Sequence, residues 1–142
     1  MSERRDYEKF YKELKDKKLN FDEALATFAD KLLPAQVTAL TAKATLELLD
    51  RVVAKTPVDK GIARANWNVG IGKADLSTAD DDGRDPIAAG EAVLKKLPSY
   101  SPVVVSNNMQ YIGALERGHS KQAPKGMLGS AIDEVAAIFR KK

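Results

Sequence analysis

A chain of 142 residues that is 44% hydrophobic has the make-up of an ordinary globular protein, which excludes a disordered or fibrous chain. Its 23 basic and 20 acidic residues leave a net charge of +3, so a nucleic-acid footprint has to come from clustering rather than from the total. With no cysteine there are neither disulfides nor thiolate metal sites, in keeping with a reducing compartment.

The start, MSERRDYEKF, has no apolar run, and no later stretch approaches the about eighteen apolar residues of a membrane span. A soluble protein made inside a cell, without a signal peptide, is expected. Residues 3–18 are densely charged, yet Tyr7, Phe10, Tyr11 and Leu14 recur at helical spacing. This predicts an amphipathic helix, an N-terminal arm over residues 1–20, whose stripe covers the chain's own core or another subunit. A single α+β domain is expected over residues 21–142. Asn20 with Glu23 three positions on is a capping box that opens a second helix at Phe21. Pro34 either separates two helices or kinks one. Over residues 35–55, Val37, Leu40, Ala44, Leu48 and Val52 line one face of a helix about 30 Å long, enough to span a small sheet.

The organising stretch is residues 56–72, TPVDKGIARANWNVGIG. Thr56 before Pro57 is pushed toward extended geometry, Asp59 can bond the backbone ahead of it, and Gly61 permits positive φ, so the helix stops and the chain reverses. Alternation follows: Ala65, Trp67, Val69 and Ile71 on one parity, Arg64, Asn66, Asn68 and Gly70 on the other. That is the period of a strand with one buried and one polar face, and Trp67 is its core anchor.

Next comes KADLSTADDDGRDP, with five aspartates, an aperiodic segment that reads as an exposed loop. A calcium loop there has Asp80 and Asp82 ahead of Gly83 but Thr78 at its first position and Ala89 at its last, so no metal site is expected. Asp85 and Pro86 open a helix to about Lys96, with Ile87, Val93, Leu94 and Leu97 as its apolar side. Residues 102–106, PVVVS, suit a buried strand, and Asn107 with Asn108 makes a turn. Met109, Tyr111, Ile112 and Leu115 give a short helix closed by Gly118. A polar loop, HSKQAPKG, leads to the last helix over residues 127–141, with Leu128, Ile132, Val135 and Phe139 on one face. The expected architecture is long N-terminal helices packed on a small, mainly antiparallel sheet, with further short helices.

Catalytic patterns are lacking. His119 is the only histidine, no serine stands in Gly-x-Ser-x-Gly, and Gly70-Ile71-Gly72 has Asp75 in place of a third phosphate-loop glycine. Glu116, His119 and Lys121 could form an acid-base cluster, but charged turn residues are more often solvated surface. We expect no enzyme, no catalytic residue and no cofactor.

The motif series carries more. Thr56-Pro57-Val58-Asp59 with Gly61, Arg64 and Trp67, then Ser106-Asn107-Asn108, then Tyr111-Ile112 with Leu115-Glu116 and Gly118, then Ser120-Lys121-Gln122-Ala123-Pro124 with Gly126-Met127, resembles the neck or tail-completion proteins of tailed bacteriophages. The likeness spans residues 35 to 132. It departs from the family at Lys60, where a small hydroxyl residue is frequent, and at His119, where an aromatic is. The resemblance implies a small α+β structural protein of the virion, assembled as a homo-oligomeric ring, commonly a hexamer, at the head-proximal end of the tail. Its partners would be copies of itself, the head connector or adaptor, and the tail tube or tail terminator protein. It would sit in the virion neck, and in the host cytoplasm during assembly, without membrane contact. Genome DNA would pass through the ring without specific binding.

Such a ring needs two different surfaces on each subunit. The candidate contacts are Tyr7, Phe10, Tyr11 and Leu14 on the arm, Arg64, Asn66 and Asn68 on the polar strand face, and Glu116, Arg117, His119, Lys121 and Lys125 around the basic loop. The loop 117–126, with Glu116 ahead of it, is expected to project and to face acidic surface such as residues 75–85 of a neighbour. Pro57, Asp59, Gly61, Trp67, Tyr111, Gly118, Pro124 and Gly126 are read as motif or core positions. The alternative from another class is a nucleic-acid-binding module using Arg117, Lys121, Lys125, Arg140, Lys141 and Lys142. A third is a small host-directed hydrolase.

Overall fold

The computed structural model describes residues 2–16 and 20–140. It is 58% helical with one two-stranded antiparallel sheet, an α+β fold. The chain forms two compact units, Met1–Thr41 with Pro98–Tyr100, and Ala42–Leu97 with Ser101–Lys142. The division falls within a helix. Lys141 and Lys142 of the basic set, and residues 17 and 18 of the first expected helix, lie outside the described residues.

In the first unit, α1 is Ser2–Lys15 and α2 is Phe21–Thr27. The capping box forms: Glu23 N–H donates to Asn20 Oδ1 at 2.9 Å, and Asn20 N–H donates back to the Glu23 carboxylate at 3.4 Å. A π-helical turn, Phe28–Leu32, carries the helix without a break into α3, Leu33–Lys55. Leu33 N–H reaches back five residues to the Phe28 carbonyl, so the turn is already widened where Pro34 enters with no N–H to donate. The helix neither ends at Pro34 nor restarts there. The Thr38 and Thr41 hydroxyls each donate to a carbonyl four residues back, Pro34 and Val37, at 2.8 Å. The arm's stripe is only partly used within this unit. Phe10 lines a groove with Thr27 and buried Leu32, while Tyr11 and Leu14 stay exposed.

In the second unit, Leu49 and Val52 of α3 meet β1, Trp67–Ile71, with Leu94, Ala123, Met127 and Ala131. The buried line of α3 is Thr45, Leu49 and Val52, not the expected series from Val37 to Val52. Leu40 is 55% exposed. A single stripe cannot serve the whole helix because its first turns belong to the other unit. The strand also starts later than its alternation implied, since Ile62–Ala65 winds one helical turn, α4. β2, Val103–Asn107, pairs with β1 in the register Trp67 to Asn107, Val69 to Val105 and Ile71 to Val103. Trp67 is 3% exposed, and its Nε1–H donates to Thr56 Oγ1 at 2.7 Å. The Thr56 hydroxyl in turn donates to the Val52 carbonyl, so the indole is tied to the end of α3.

Asp85 accepts from the N–H groups of Ile87 and Ala88 at 3.0 and 3.1 Å and opens α5, Pro86–Leu94. A Cβ on Gly90 would stand 2.5 Å from Leu49 Cδ2, so glycine lets α5 lie close against α3 and β1. Two helices follow, α6, Ile112–Glu116, and α7, Leu128–Arg140. Glu134 of α7 bridges Lys55 at 2.8 Å and Arg51 at 3.3 Å on α3. Among the described residues no helix is long and apolar enough to cross a membrane.

Candidate functional site

The polar face of β1 is not a surface. Asn66 and Asn68 are 1% and 2% exposed, because the aspartate-rich segment folds back over them. Asn68 Nδ2 donates to the carbonyls of Asp75 and Ser77 at 3.0 and 2.8 Å. Asn66 Nδ2 donates to Ala79 O at 2.9 Å while its Oδ1 accepts from Ala79 N–H at 2.7 Å. From the neighbouring strand Ser106 Oγ donates to Asp75 O at 3.0 Å, and just beyond it Asn108 Nδ2 donates to Leu76 O at 3.1 Å. A side-chain amide offers both donor and acceptor, which suits it to satisfying irregular backbone that has no ladder partner. Asn66 and Asn68 are thus removed from the contact candidates. Arg64 is part-buried, and its Nη2 donates to Thr56 O at 3.1 Å. Arg84 of the same loop donates to the carbonyls of Ala65 and Trp67 at 3.1 and 2.8 Å.

The turn after α3 and the loop before α7 are brought together. Val58 N–H donates to Gln122 Oε1 at 2.8 Å, and Gln122 Nε2 donates to Val58 O at 2.9 Å. Between them opens a cleft of about 440 Å3, with Pro57, Asp59 and Ile62 on one side and Tyr111, Leu115 and Ser120 on the other. Pro57 is buried, whereas Asp59 stands exposed and bonds no group among the described residues. Gly61, at φ +78°, starts α4 in place of the side-chain stop expected from Asp59. Tyr111, a motif or core position by its sequence, is 45% exposed and forms part of the cleft wall.

The loop itself is tightly built. Gly118, at φ +86°, closes α6, and a Cβ there would stand 2.2 Å from the Pro124 carbonyl. A Cβ on Gly126 would stand 2.2 Å from the Glu116 carbonyl. Glu116 was expected to project, and it does the opposite. Its Oε1 accepts from the N–H groups of Met127 and Leu128 at 3.0 and 2.8 Å, and its Oε2 from Gly129 N–H at 3.1 Å. This carboxylate meets the amides that open α7, where the helix dipole also favours an anion. Burial pushes the Glu116 carboxyl up, but the N–H groups of Leu128, Met127 and Gly129 together outweigh it and hold its pKa below the ordinary value. Both oxygens are committed, so Glu116 is no part of a cluster with His119 and Lys121.

Arg117, His119, Lys121 and Lys125 are exposed, as are Tyr11 and Leu14, while Tyr7 and Phe10 are half-buried. On the acidic side, Asp75 accepts from the hydroxyl and N–H of Ser77, Asp81 from Gly83 N–H, and Asp85 caps α5. That leaves Asp80 and Asp82 as exposed carboxylates with no bonded partner among the described residues. No three histidine or carboxylate side chains converge as metal ligands among the described residues. Comparison with family models, with curated proteins and with solved structures gave no match.

Proposed function

We propose that this protein is a structural component of a tailed-phage neck, a ring subunit at the head-proximal end of the tail that completes the tail and joins it to the head connector. The observation that carries the reading is the mutual dependence of the motif blocks. Val58 of the first block is bonded to Gln122 of the last, 64 residues apart, and the Ser106 and Asn108 side chains hold the loop that covers β1. The first and last blocks of the motif series thus hold each other, and Arg117, Lys121 and Lys125 are exposed and bond no partner among the described residues. Asp80 and Asp82 of the adjacent subunit, or acidic surface of the next neck protein, are the complementary side. Such rim pairs contribute about 0 to 1 kcal/mol each, but a closed ring repeats them and they steer encounter.

Electron microscopy of the purified protein and mass spectrometry of purified phage particles test this together. The expected result is a ring in the first and a low-copy virion component in the second. Absence from the particles overturns the reading. A salt-dependent shift of duplex DNA by the isolated chain, abolished by removing Arg117, Lys121 and Lys125, would favour the nucleic-acid-binding alternative.

A further inference from the structure

A two-stranded sheet leaves one edge of each strand without a ladder, and the two edges here differ. Gly72 N–H donates to Pro102 O at 2.8 Å, which in this antiparallel register makes Gly70 with Val104, and Asn68 with Ser106, the hydrogen-bonded pairs. Trp67, Val69, Val103 and Val105 therefore direct their backbone groups outward. On the β1 edge, Arg84 takes the Trp67 carbonyl and Val69 is buried. On the β2 edge, no group among the described residues bonds the N–H or C=O of Val103 or Val105. Nor does β2, VVVSN, carry a charge, a proline or a bulge, the usual devices that keep an open edge from pairing. Beside it, Val103 and Val105 line a groove of about 460 Å3 with Leu48 of α3 and Leu128, Ile132 and Val135 of α7, and no charged residue enters the lining.

We propose that the β2 edge and this groove form a strand-addition site for an extended segment of a different protein, uncharged and apolar at alternate positions. The added backbone would bond Val103 and Val105, and its alternate side chains would enter the groove. An uncharged lining calls for an uncharged occupant, since a charge placed there would lose its water without a partner. Five residues make a contact only about 17 Å long, too little for the roughly 800 Å2 per partner of a stable dimer. A second copy joined through this strand alone is therefore not a stable occupant. The site rests on the second unit alone and does not depend on the neck reading.

Amide exchange of the full chain, followed residue by residue by NMR, is the test. In the free protein Val104 and Ser106 should be protected while Val103 and Val105 exchange fast. Adding the peptide acetyl-SVTVTVS-amide at millimolar concentration should slow Val103 and Val105 by about tenfold or more, and acetyl-SVTPTVS-amide should not. Val105→Pro should abolish this binding, because its ring replaces an N–H that faces away from β1. Ile132→Asp, an exposed groove position, should weaken it in a chain that folds normally. Protection of Val103 and Val105 in the free monomer overturns the proposal. So does protection that grows with protein concentration alone, which would make a second copy the occupant, or an alternating peptide without effect on either amide.

Discussion

Gln122 and Val58 exchange two hydrogen bonds, 2.8 Å from the Val58 amide and 2.9 Å to its carbonyl, and so staple the turn after α3 to the loop before α7. A primary amide carries its donor and its acceptor on separate atoms, so it can do both at once. Gln122→Ala should destabilise the chain by about 1 kcal/mol, given what exposed hydrogen bonds contribute net. Gln122→Glu keeps the acceptor and loses the donor, so it should fall between the two in a urea titration. Identical midpoints for all three proteins would show that the staple does not hold the turn.

The second expectation concerns Trp67 and Thr56. Trp67→Ala should cost about 3 to 5 kcal/mol through lost burial and the cavity left behind. Thr56→Val keeps the shape but orphans the buried indole N–H, at about 1 to 3 kcal/mol. Trp67→Phe leaves the Thr56 hydroxyl its bond to Val52 but removes its donor. The double variant Trp67→Phe with Thr56→Val should therefore lose less than the sum of its parts. Additive losses in denaturant titrations would mean the two side chains are energetically independent.

Glu116 ties stability to acid. Its folded pKa lies below its ordinary value of 4.5, so the stabilisation is present above that value and is lost as pH falls through the lower folded one. Glu116→Gln should flatten the decline in melting temperature over that window and cost about 1 to 2 kcal/mol at neutral pH, as for a lost helix cap. Parallel pH curves for the two proteins would place the acid sensitivity elsewhere.

Reversing Lys121 and Lys125 to Glu should leave the melting temperature of the subunit nearly unchanged, since both side chains are exposed and unpaired among the described residues. Assembly should weaken, and its dependence on salt should diminish. Unfolding of the variant would mean the lysines support the fold. Normal assembly at every salt concentration would remove the loop from the interface.

The helix caps at Asn20 and Asp85, the Trp67 anchor and the two strands were legible because each has a local signal, a capping oxygen, a period of two or, for β2, a β-branched run, although β2 is half-buried rather than buried. The burial of Asn66 and Asn68 was not, since alternation gives the face of a strand but not what lies over it. The covering segment contributes backbone carbonyls, and these leave no mark in composition. Glu116 did have a signal. Neither Gly126 nor Met127 can supply a capping oxygen to α7, so an acceptor had to come from elsewhere, and its source depends on tertiary closure. The offset stripe of α3 was hidden because one helix spans two compact units.

The π turn at Phe28–Leu32 acts on the phase of the helix it interrupts. Each residue of an α-helix advances about 100° around the axis, so the widened turn resets where every side chain upstream of it faces relative to those downstream. Phe21 and Leu25 precede it, and Leu33 and Leu40 follow, all four exposed. Deleting one residue from the turn would restore ordinary winding and rotate the first pair by about 100° against the second. The extra residue thus sets the azimuth at which this unit presents its leucines and phenylalanines, so a one-residue deletion in this helix would reorient an entire apolar face while leaving its composition almost untouched.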